Sequence, residues 1–323
     1  MSTDVFFYEA FEEEEAELRR CLPDVRAEYT WAAVQETGHT EPPAPIISVR
    51  TQSLIPADWA PKLKGILSRS TGYDHLDRYA ASAGVQVARG YLPLYCARAV
   101  AEHALMMWMA LLRKLETQRK NFQSFSRDGL TGGECAGRTL LVVGVGNIGY
   151  EVVKIGRGLD MQVLGVDLVH PHADVFYRDF EAALPDADII VCCMNLTQHN
   201  VNYFNAKTLA NAKPGAVFVN VSRGELSPGA DLLQLLERGV LGGVGLDVFD
   251  AEANLAVALR SGKKPTGARI EPVHILAQRE DVILTPHNAF NSTEAVARKS
   301  EHSGMQIRNM LSYGQWLWPV PTA

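Results

Sequence analysis

Residues 140–167 read LLVVGVGNIGYEVVKIGRGLDMQVLGVD, and few folds accept residue types in that order. Leu140 to Val143 is an uninterrupted apolar run, the pattern of a strand covered on both faces. Gly144, Gly146 and Gly149 follow with the spacing G-x-G-x-x-G. Val152, Val153, Ile155 and Leu159 then fit one face of a helix. A second apolar run, residues 162–166, ends at Asp167. Gly144 permits a tight turn, Gly146 leaves room for a pyrophosphate against the backbone, and Gly149 lets the helix pack close to the sheet. The helix N-terminus offers free N–H groups and a partial positive charge to phosphates. Asp167 can accept hydrogen bonds from both hydroxyls of an adenosine ribose, and would repel a 2′-phosphate. Leu168 and Val169 bring no cation to offset that, and His170 and Arg178 are the nearest that could. The segment therefore predicts NAD rather than NADP. A lone G-x-G-x-x-G says little; its flanking strands, helix and acid carry the reading.

A chain of 323 residues is long for one core, so two domains are expected. With 31 Lys and Arg against 37 Asp and Glu, the net charge is −6 and no basic block stands out, which argues against nucleic acid or an anionic membrane surface as partner. Cys21, Cys96, Cys135, Cys192 and Cys193 show no metal-ligand spacing and leave an odd count. No metal is expected, and reduced thiols in a cytoplasm fit best. The first residues lack the basic and apolar regions of a signal peptide. The most apolar stretch, Ala99 to Leu112, is too short to span a bilayer and carries Glu102 and His103.

Elsewhere the pattern alternates. Val5–Tyr8, Ile46–Val49, Ile66–Ser68 and Val85–Ala88 read as strands. Glu9–Cys21 reads as a helix whose six acids form a solvated face, with Ala16, Leu18 and Cys21 on the other side. Gly72 lies just past a strand end, where open α/β sheets bind ligands. Arg98–Lys114 is a helix apolar nearly all round, hence buried or pressed into a subunit interface. Ser124–Gly137 is a polar loop. Beyond Asp167, strands are expected at Asp188–Cys193, Ala216–Val221, Leu241–Phe249 and Val282–Leu284, and helices at Asn205–Ala212, Ala230–Arg238 and Glu294–Leu311. Strands alternating with helices predict α/β architecture with parallel sheets.

Three polar residues follow strands of the second half: Arg223, Glu252 and His287. If those strands share a sheet with Leu140–Val143, all three project from its carboxyl edge beside the glycine turn. Their types suit hydride transfer to a 2-keto acid. An arginine fork grips a carboxylate and polarises the adjacent carbonyl. A histidine donates a proton to the forming alkoxide, and a neighbouring carboxylate stabilises its imidazolium. Taken singly, each residue reads as readily as a surface arginine, a solvated acid or a turn histidine.

Six segments in order resemble the D-isomer-specific 2-hydroxyacid dehydrogenase family: STGYDHLD (Ser70–Asp77), AVAEHAL (Ala99–Leu105), GVGNIG (Gly144–Gly149), KPGAVFVNVSRGEL (Lys213–Leu226), GLDVFDAE (Gly245–Glu252) and LTPHNAF (Leu284–Phe290). The resemblance implies two Rossmann-like or flavodoxin-like domains with parallel sheets. Residues 98–290 would form the dinucleotide-binding domain, inserted into a discontinuous substrate domain of residues 1–97 and 291–323. It implies a homodimer through the Arg98–Lys114 helix and its surroundings. The family's catalytic trio matches Arg223, Glu252 and His287. Backbone N–H groups of Thr71 and Gly72 would bind the substrate carboxylate, and Tyr95 would line the pocket. On the cofactor side the match gives Asn147 and Ile148 at the phosphates and Asp167 at the ribose. Met194, Asn195 and Asn200 fall around the adenine and linker, Val221, Ser222 and Arg223 beneath the nicotinamide, and Asp247 near its carboxamide.

The chain departs from the family in two places. Arg98 stands where asparagine is usual, at the helix start that hinges the domains. The stretch from Glu252 to Asp281 is long and carries Arg260, Lys263, Lys264 and Arg269, a candidate cover for the site or contact with another subunit. The resemblance implies an NAD-dependent reductase of small 2-keto acids, reversible on D-2-hydroxy acids. The formate dehydrogenase branch lacks an acid beside the histidine, so Glu252 argues against it. An NAD(H)-sensing binding protein, like the corepressors of this fold, would keep the same trio. The lack of long disordered tails disfavours it. A decayed site would leave the trio apart in space.

Overall fold

Apolar runs without alternation pair in parallel where both sheet faces are covered, and the computed structural model, which describes residues 3–84, 86–263 and 266–321, shows this in two separate sheets. The chain divides into two units, residues 1–96 with 291–323, and residues 97–290.

The first unit begins with β1 (Val5–Phe7), α1 (Glu12–Cys21), β2 (Ala27–Tyr29), β3 (Ile46–Val49), β4 (Gly65–Ser68), α2 (Asp74–Ala83) and β5 (Ala88–Gly90). The five strands are parallel in the order β2-β1-β3-β4-β5. The last strand starts at Ala88 because pairing with β4 begins there, at Gly65. Of the expected run 85–88, Val85 lies outside the described residues. The acids of α1 need a correction. Glu12 and Glu13 are solvated and the first-turn acids suit the helix dipole, but Glu14 is fully buried, Glu9 nearly so, and Ala16 is exposed. Glu9 accepts hydrogen bonds from the N–H groups of Arg50, Gln52 and Ser53 and from the Ser53 hydroxyl, and so ties off the turn after β3.

The second unit contains α3 (Ala97–Leu112), α4 (Leu115–Asn121), β6 (Thr139–Val143), α5 (Asn147–Gly158), β7 (Gln162–Val166), β8 (Phe176–Tyr177), α6 (Phe180–Ala183), β9 (Ile189–Cys192), β10 (Ala216–Asn220), α7 (Gly229–Glu237), β11 (Leu241–Leu246), α8 (Glu252–Arg260), α9 (Glu271–Leu276) and β12 (Val282–Leu284). Its seven strands are all parallel, in the order β12-β11-β10-β9-β6-β7-β8. From β6 the chain runs outward through β7 and β8, then returns to β9 and runs the other way. The switch point of the sheet is therefore at β6 and β9, the position where such sheets bind ligands. Two expectations are corrected here. Residues 205–212 form turns and not a helix: the Asn205 side chain accepts from Lys207 N and Thr208 N, and the following backbone bonds are mostly of the tight three-residue type. The strand expected to reach Phe249 ends at Leu246, where the Asp247 side chain is drawn into other contacts. Lys264 lies outside the described residues.

The chain returns to the first unit with α10 (Thr293–Tyr313), capped by Ser292, whose hydroxyl accepts from Ala295 N. It packs against α1 and β4. Among the described residues no helix is long and apolar enough to cross a membrane.

Candidate active site

The glycine turn after β6 has three different reasons for its three glycines. Gly144 has φ +91, and a Cβ there would lie 2.5 Å from Met194 Cα. A Cβ on Gly149 would lie 1.9 Å from the Gly144 carbonyl oxygen, so the start of α5 can approach the strand end only with glycine. A Cβ on Gly146 would meet nothing within 4 Å. The space beside Gly146 is open, at the N-terminus of a 12-residue helix that begins with Asn147 and Ile148. That cradle fits a pyrophosphate. Asp167 Oδ2 accepts from Val145 N at 2.7 Å, which fixes the carboxylate at the rim of the same turn. Arg178 is committed to Asp186 at 2.8 Å, and His170 stacks on Tyr177. Neither side chain is directed at Asp167, in keeping with NAD.

Around this turn the structure gathers the other expected cofactor residues. Asn200 donates to the Asn195 carbonyl at 2.7 Å and accepts from Thr197 N, folding the loop after β9 on itself. The Ser222 hydroxyl donates to the Met194 carbonyl and joins that loop to the end of β10. Val221 is buried.

The catalytic candidates come together. Since β10, β11 and β12 share the sheet of β6, Arg223, Glu252 and His287 all follow its carboxyl edge. His287 Nδ1 lies 2.6 Å from Glu252 Oε1. Both side chains are less than one-fifth exposed. Burial on its own would raise the Glu252 carboxyl; the charge and hydrogen bond of His287 and the charge of Arg223 outweigh it and hold the group below its ordinary range. Two residues of this small region, Ala251 and His287, have left-handed backbones, φ 57 and φ 51. Non-glycine residues adopt that region at some strain, and such strain collects where surrounding contacts over-determine the chain.

Two residues that support the trio, Asn220 and Gly224, do not stand out in the sequence, while a third, Asp247, does. Asn220 is fully buried and bonds to the Arg223 carbonyl, to Ser227 Oγ and to Ser222 N, so it braces the turn that carries Arg223. Gly224 brings this turn against the next, since a Cβ there would overlap the Phe249 carbonyl carbon at 1.9 Å. Asp247 is 1% exposed. It accepts from Thr285 Oγ1 at 2.6 Å, Asn288 N at 2.8 Å and Ala289 N at 2.9 Å, which closes the loop on both sides of His287. Its expected neighbourhood was the nicotinamide carboxamide; its observed contacts are to this loop.

In the first unit, Thr71 and Gly72 follow β4 at the carboxyl edge of that sheet, partly exposed. Thr71 Oγ1 lies 3.5 Å from Cys96 Sγ. Tyr95 is 3% exposed, and its hydroxyl donates to the Arg69 carbonyl at 3.4 Å. Beneath them lies a buried ion cluster. Glu14 Oε1 pairs with Arg69 Nε at 2.7 Å and Lys299 Nζ at 2.9 Å, all three fully buried. Against the effect of burial, Arg69, Lys299 and Arg50 hold the Glu14 carboxyl at about 2. Burial pulls the Lys299 ammonium down to about 7, despite Glu14.

Residues 105–289 match the family model for the NAD-binding domain of the D-isomer specific 2-hydroxyacid dehydrogenases. The chain is 31% identical over 259 residues to the D-lactate dehydrogenase of Escherichia coli (strain K12), covering 77% of this chain and 76% of that one. It is 32% identical over 244 residues to the D-lactate dehydrogenase of Streptococcus agalactiae serotype V (strain ATCC BAA-611 / 2603 V/R), covering 72% of each. In fold it is similar to the crystal structure of the Aquifex aeolicus D-lactate dehydrogenase complexed with NAD and lactic acid. The TM-score is 0.85 at 24% identity, over 99% of this chain and 100% of that one. The chain therefore belongs to the D-isomer specific 2-hydroxyacid dehydrogenase family and is an NAD-dependent oxidoreductase acting on the CH–OH group of 2-hydroxy acids.

Proposed function

We propose that the reaction is the reversible reduction of a small 2-keto acid to its D-2-hydroxy acid, with His287 as acid and base, Glu252 as its partner and Arg223 on the substrate. The observation that carries this is the 2.6 Å contact of His287 Nδ1 with Glu252 Oε1 at the sheet edge that also bears the glycine turn. An ionised carboxylate only accepts, so Nδ1 carries the hydrogen and Nε2 is the ring atom left for the substrate. In the reductive direction, the Nε2 proton passes to the substrate carbonyl oxygen as that oxygen gains charge. Glu252 stabilises the imidazolium before transfer and holds the ring in one orientation. Arg223 grips the substrate carboxylate with its planar fork and polarises the carbonyl. In the first unit the residues proposed for substrate binding are the N–H groups of Thr71 and Gly72, at the carboxyl edge of that unit's sheet, and Tyr95. Bound NADH supplies the hydride for C2. In the oxidative direction neutral Nε2 removes the hydroxyl proton.

The reading extends to a homodimer in a cytoplasm. Met106, Leu115, Phe122 and Phe125 are exposed on and after α3, a surface that a second copy would cover. All five cysteines are free thiols. Light scattering tests the dimer. The reaction is tested by NADH oxidation against glyoxylate, pyruvate, hydroxypyruvate, phenylpyruvate and 2-ketoisocaproate, with NADPH and His287→Ala as controls. Turnover with one acid, lost in the variant, supports the reading. Tight NADH binding without turnover on any of them replaces it with a sensing role.

A further inference from the structure

The His287 loop is fastened from outside by a residue with no part in the chemistry described so far. His103 projects from α3, largely buried, and its Nε2 lies 3.0 Å from Thr285 Oγ1. Thr285 Oγ1 in turn lies 2.6 Å from Asp247 Oδ1, while His103 Nε2 is 3.6 Å from the same oxygen. The directions of these bonds follow from the groups themselves. Asp247 is a carboxylate and only accepts, so the single hydroxyl hydrogen of Thr285 points at Asp247. The hydroxyl oxygen then has only lone pairs to offer His103, so Nε2 of His103 must carry a hydrogen. Burial lowers the His103 imidazolium, against the raising effect of Asp247, which favours the neutral ring. The chain of donors therefore runs one way: His103 Nε2–H to Thr285 Oγ1–H to Asp247.

We propose that His103 is a positioning residue for the acid–base histidine, acting through Thr285 and Asp247. By occupying the Thr285 lone pair, His103 prevents the hydroxyl from turning away, and Asp247 keeps three donors: Thr285 Oγ1, Asn288 N and Ala289 N. Those donors bracket His287 and hold it in its left-handed conformation, with Nδ1 on Glu252. Without the outer donor the loop can relax toward ordinary backbone angles, and the imidazole leaves its line with the substrate. A polar group on a largely apolar helix thereby sets the rate of proton transfer. This inference rests on the reading of His287 as acid and base.

The test compares Thr285→Val, Thr285→Ser, His103→Leu and the double variant His103→Leu/Thr285→Val. Turnover with the best keto acid is measured together with the exchange of the Asn288 and Ala289 amide hydrogens. In Thr285→Val and His103→Leu, kcat is expected to fall about tenfold, the equivalent of one hydrogen bond, with the KM for NADH kept. The two amides should exchange about tenfold faster. Thr285→Ser should restore both, and the double variant should lose no more than the worse single variant, because both act along one chain. The proposal is overturned if kcat and exchange are unchanged, if serine is as poor as valine, or if the losses multiply. If the unaltered protein reduces no keto acid, the functional reading has failed, and the amide exchange alone decides whether His103 holds the loop.

Discussion

His287 Nδ1 and Glu252 Oε1 stand 2.6 Å apart, although 35 positions separate them in sequence. The loops that carry them leave adjacent strands, β12 and β11, and each has a non-glycine residue in left-handed conformation: His287 itself, and Ala251 just before Glu252. Two strained turns facing each other hold this pair. Glu252→Gln keeps the shape and an acceptor and removes the charge. It should reduce kcat roughly 100-fold, within the range that acid–base catalysis contributes, with NADH affinity unchanged. Steady-state rates and a fluorescence titration with NADH check both halves. Unchanged kcat would remove Glu252 from the mechanism.

The cofactor preference should rest on the charge of Asp167. Asp167→Asn keeps an oxygen for Val145 N, which the carboxylate now meets at 2.7 Å, and loses the repulsion of a 2′-phosphate. The ratio of kcat/KM for NADPH over NADH should rise about tenfold or more, equivalent to roughly 1.4 kcal/mol. A ratio that does not move would show that the discrimination lies elsewhere.

Gly146 and Gly149 should respond oppositely to alanine. Gly146 has φ −79 and open space around its missing Cβ, so Gly146→Ala should melt within about 0.5 kcal/mol of the parent while NADH binds at least about tenfold more weakly. In Gly149→Ala the added carbon meets a backbone oxygen at 1.9 Å, and the protein itself should be destabilised. Thermal melts paired with NADH titrations separate the two. Equal loss of stability in both would contradict the open cradle.

The buried acid of α1 should matter for stability and not for turnover. Glu14→Gln leaves Arg69 and Lys299 buried without their carboxylate, which costs about 3–5 kcal/mol. The folded-state carboxyl lies at about 2, below its ordinary 4.5. Its contribution is therefore present in full above pH 4.5 and is lost as the pH falls through 2. Urea unfolding of both proteins between neutral and acid pH measures this. The gap between them should close as the pH falls from 4.5 through 2. A gap that widens with acid would reverse the sign.

What could be read from the sequence was local. Residues 140–167 announce themselves because strand, turn and helix each leave a periodic mark within a few residues, and β6, α5 and β7 follow that reading closely. Arg223, Glu252 and His287 are legible as strand-end residues, but their meeting depends on which strands are neighbours. What escapes is pairing at a distance. His103 and Thr285 are 182 positions apart, and on an apolar helix one histidine looks like packing. Glu14 sits in a run of acids, where the reasonable expectation is water; only the partner reveals it. A clue lies in α10, where Lys299 falls in the buried register with Val296, Ser303 and Ile307, a place where lysine needs an anion. Residues 205–212 mislead in the other direction, since side-chain bonds from Asn205 compete with the helix their composition suggests.

The contact between Glu14 and Lys299 also orders events during synthesis. The first unit has its opening 96 residues early and its last helix only after 194 more have been added. At about 5–20 residues per second, the ribosome leaves that five-stranded sheet without its last helix for roughly 10–40 s. Through that interval the carboxylate of Glu14 has Arg69 but not Lys299, while residues 97–290 emerge as one unbroken stretch. A chain cut at Phe290 would contain the whole of the nucleotide-binding unit and could never finish the other.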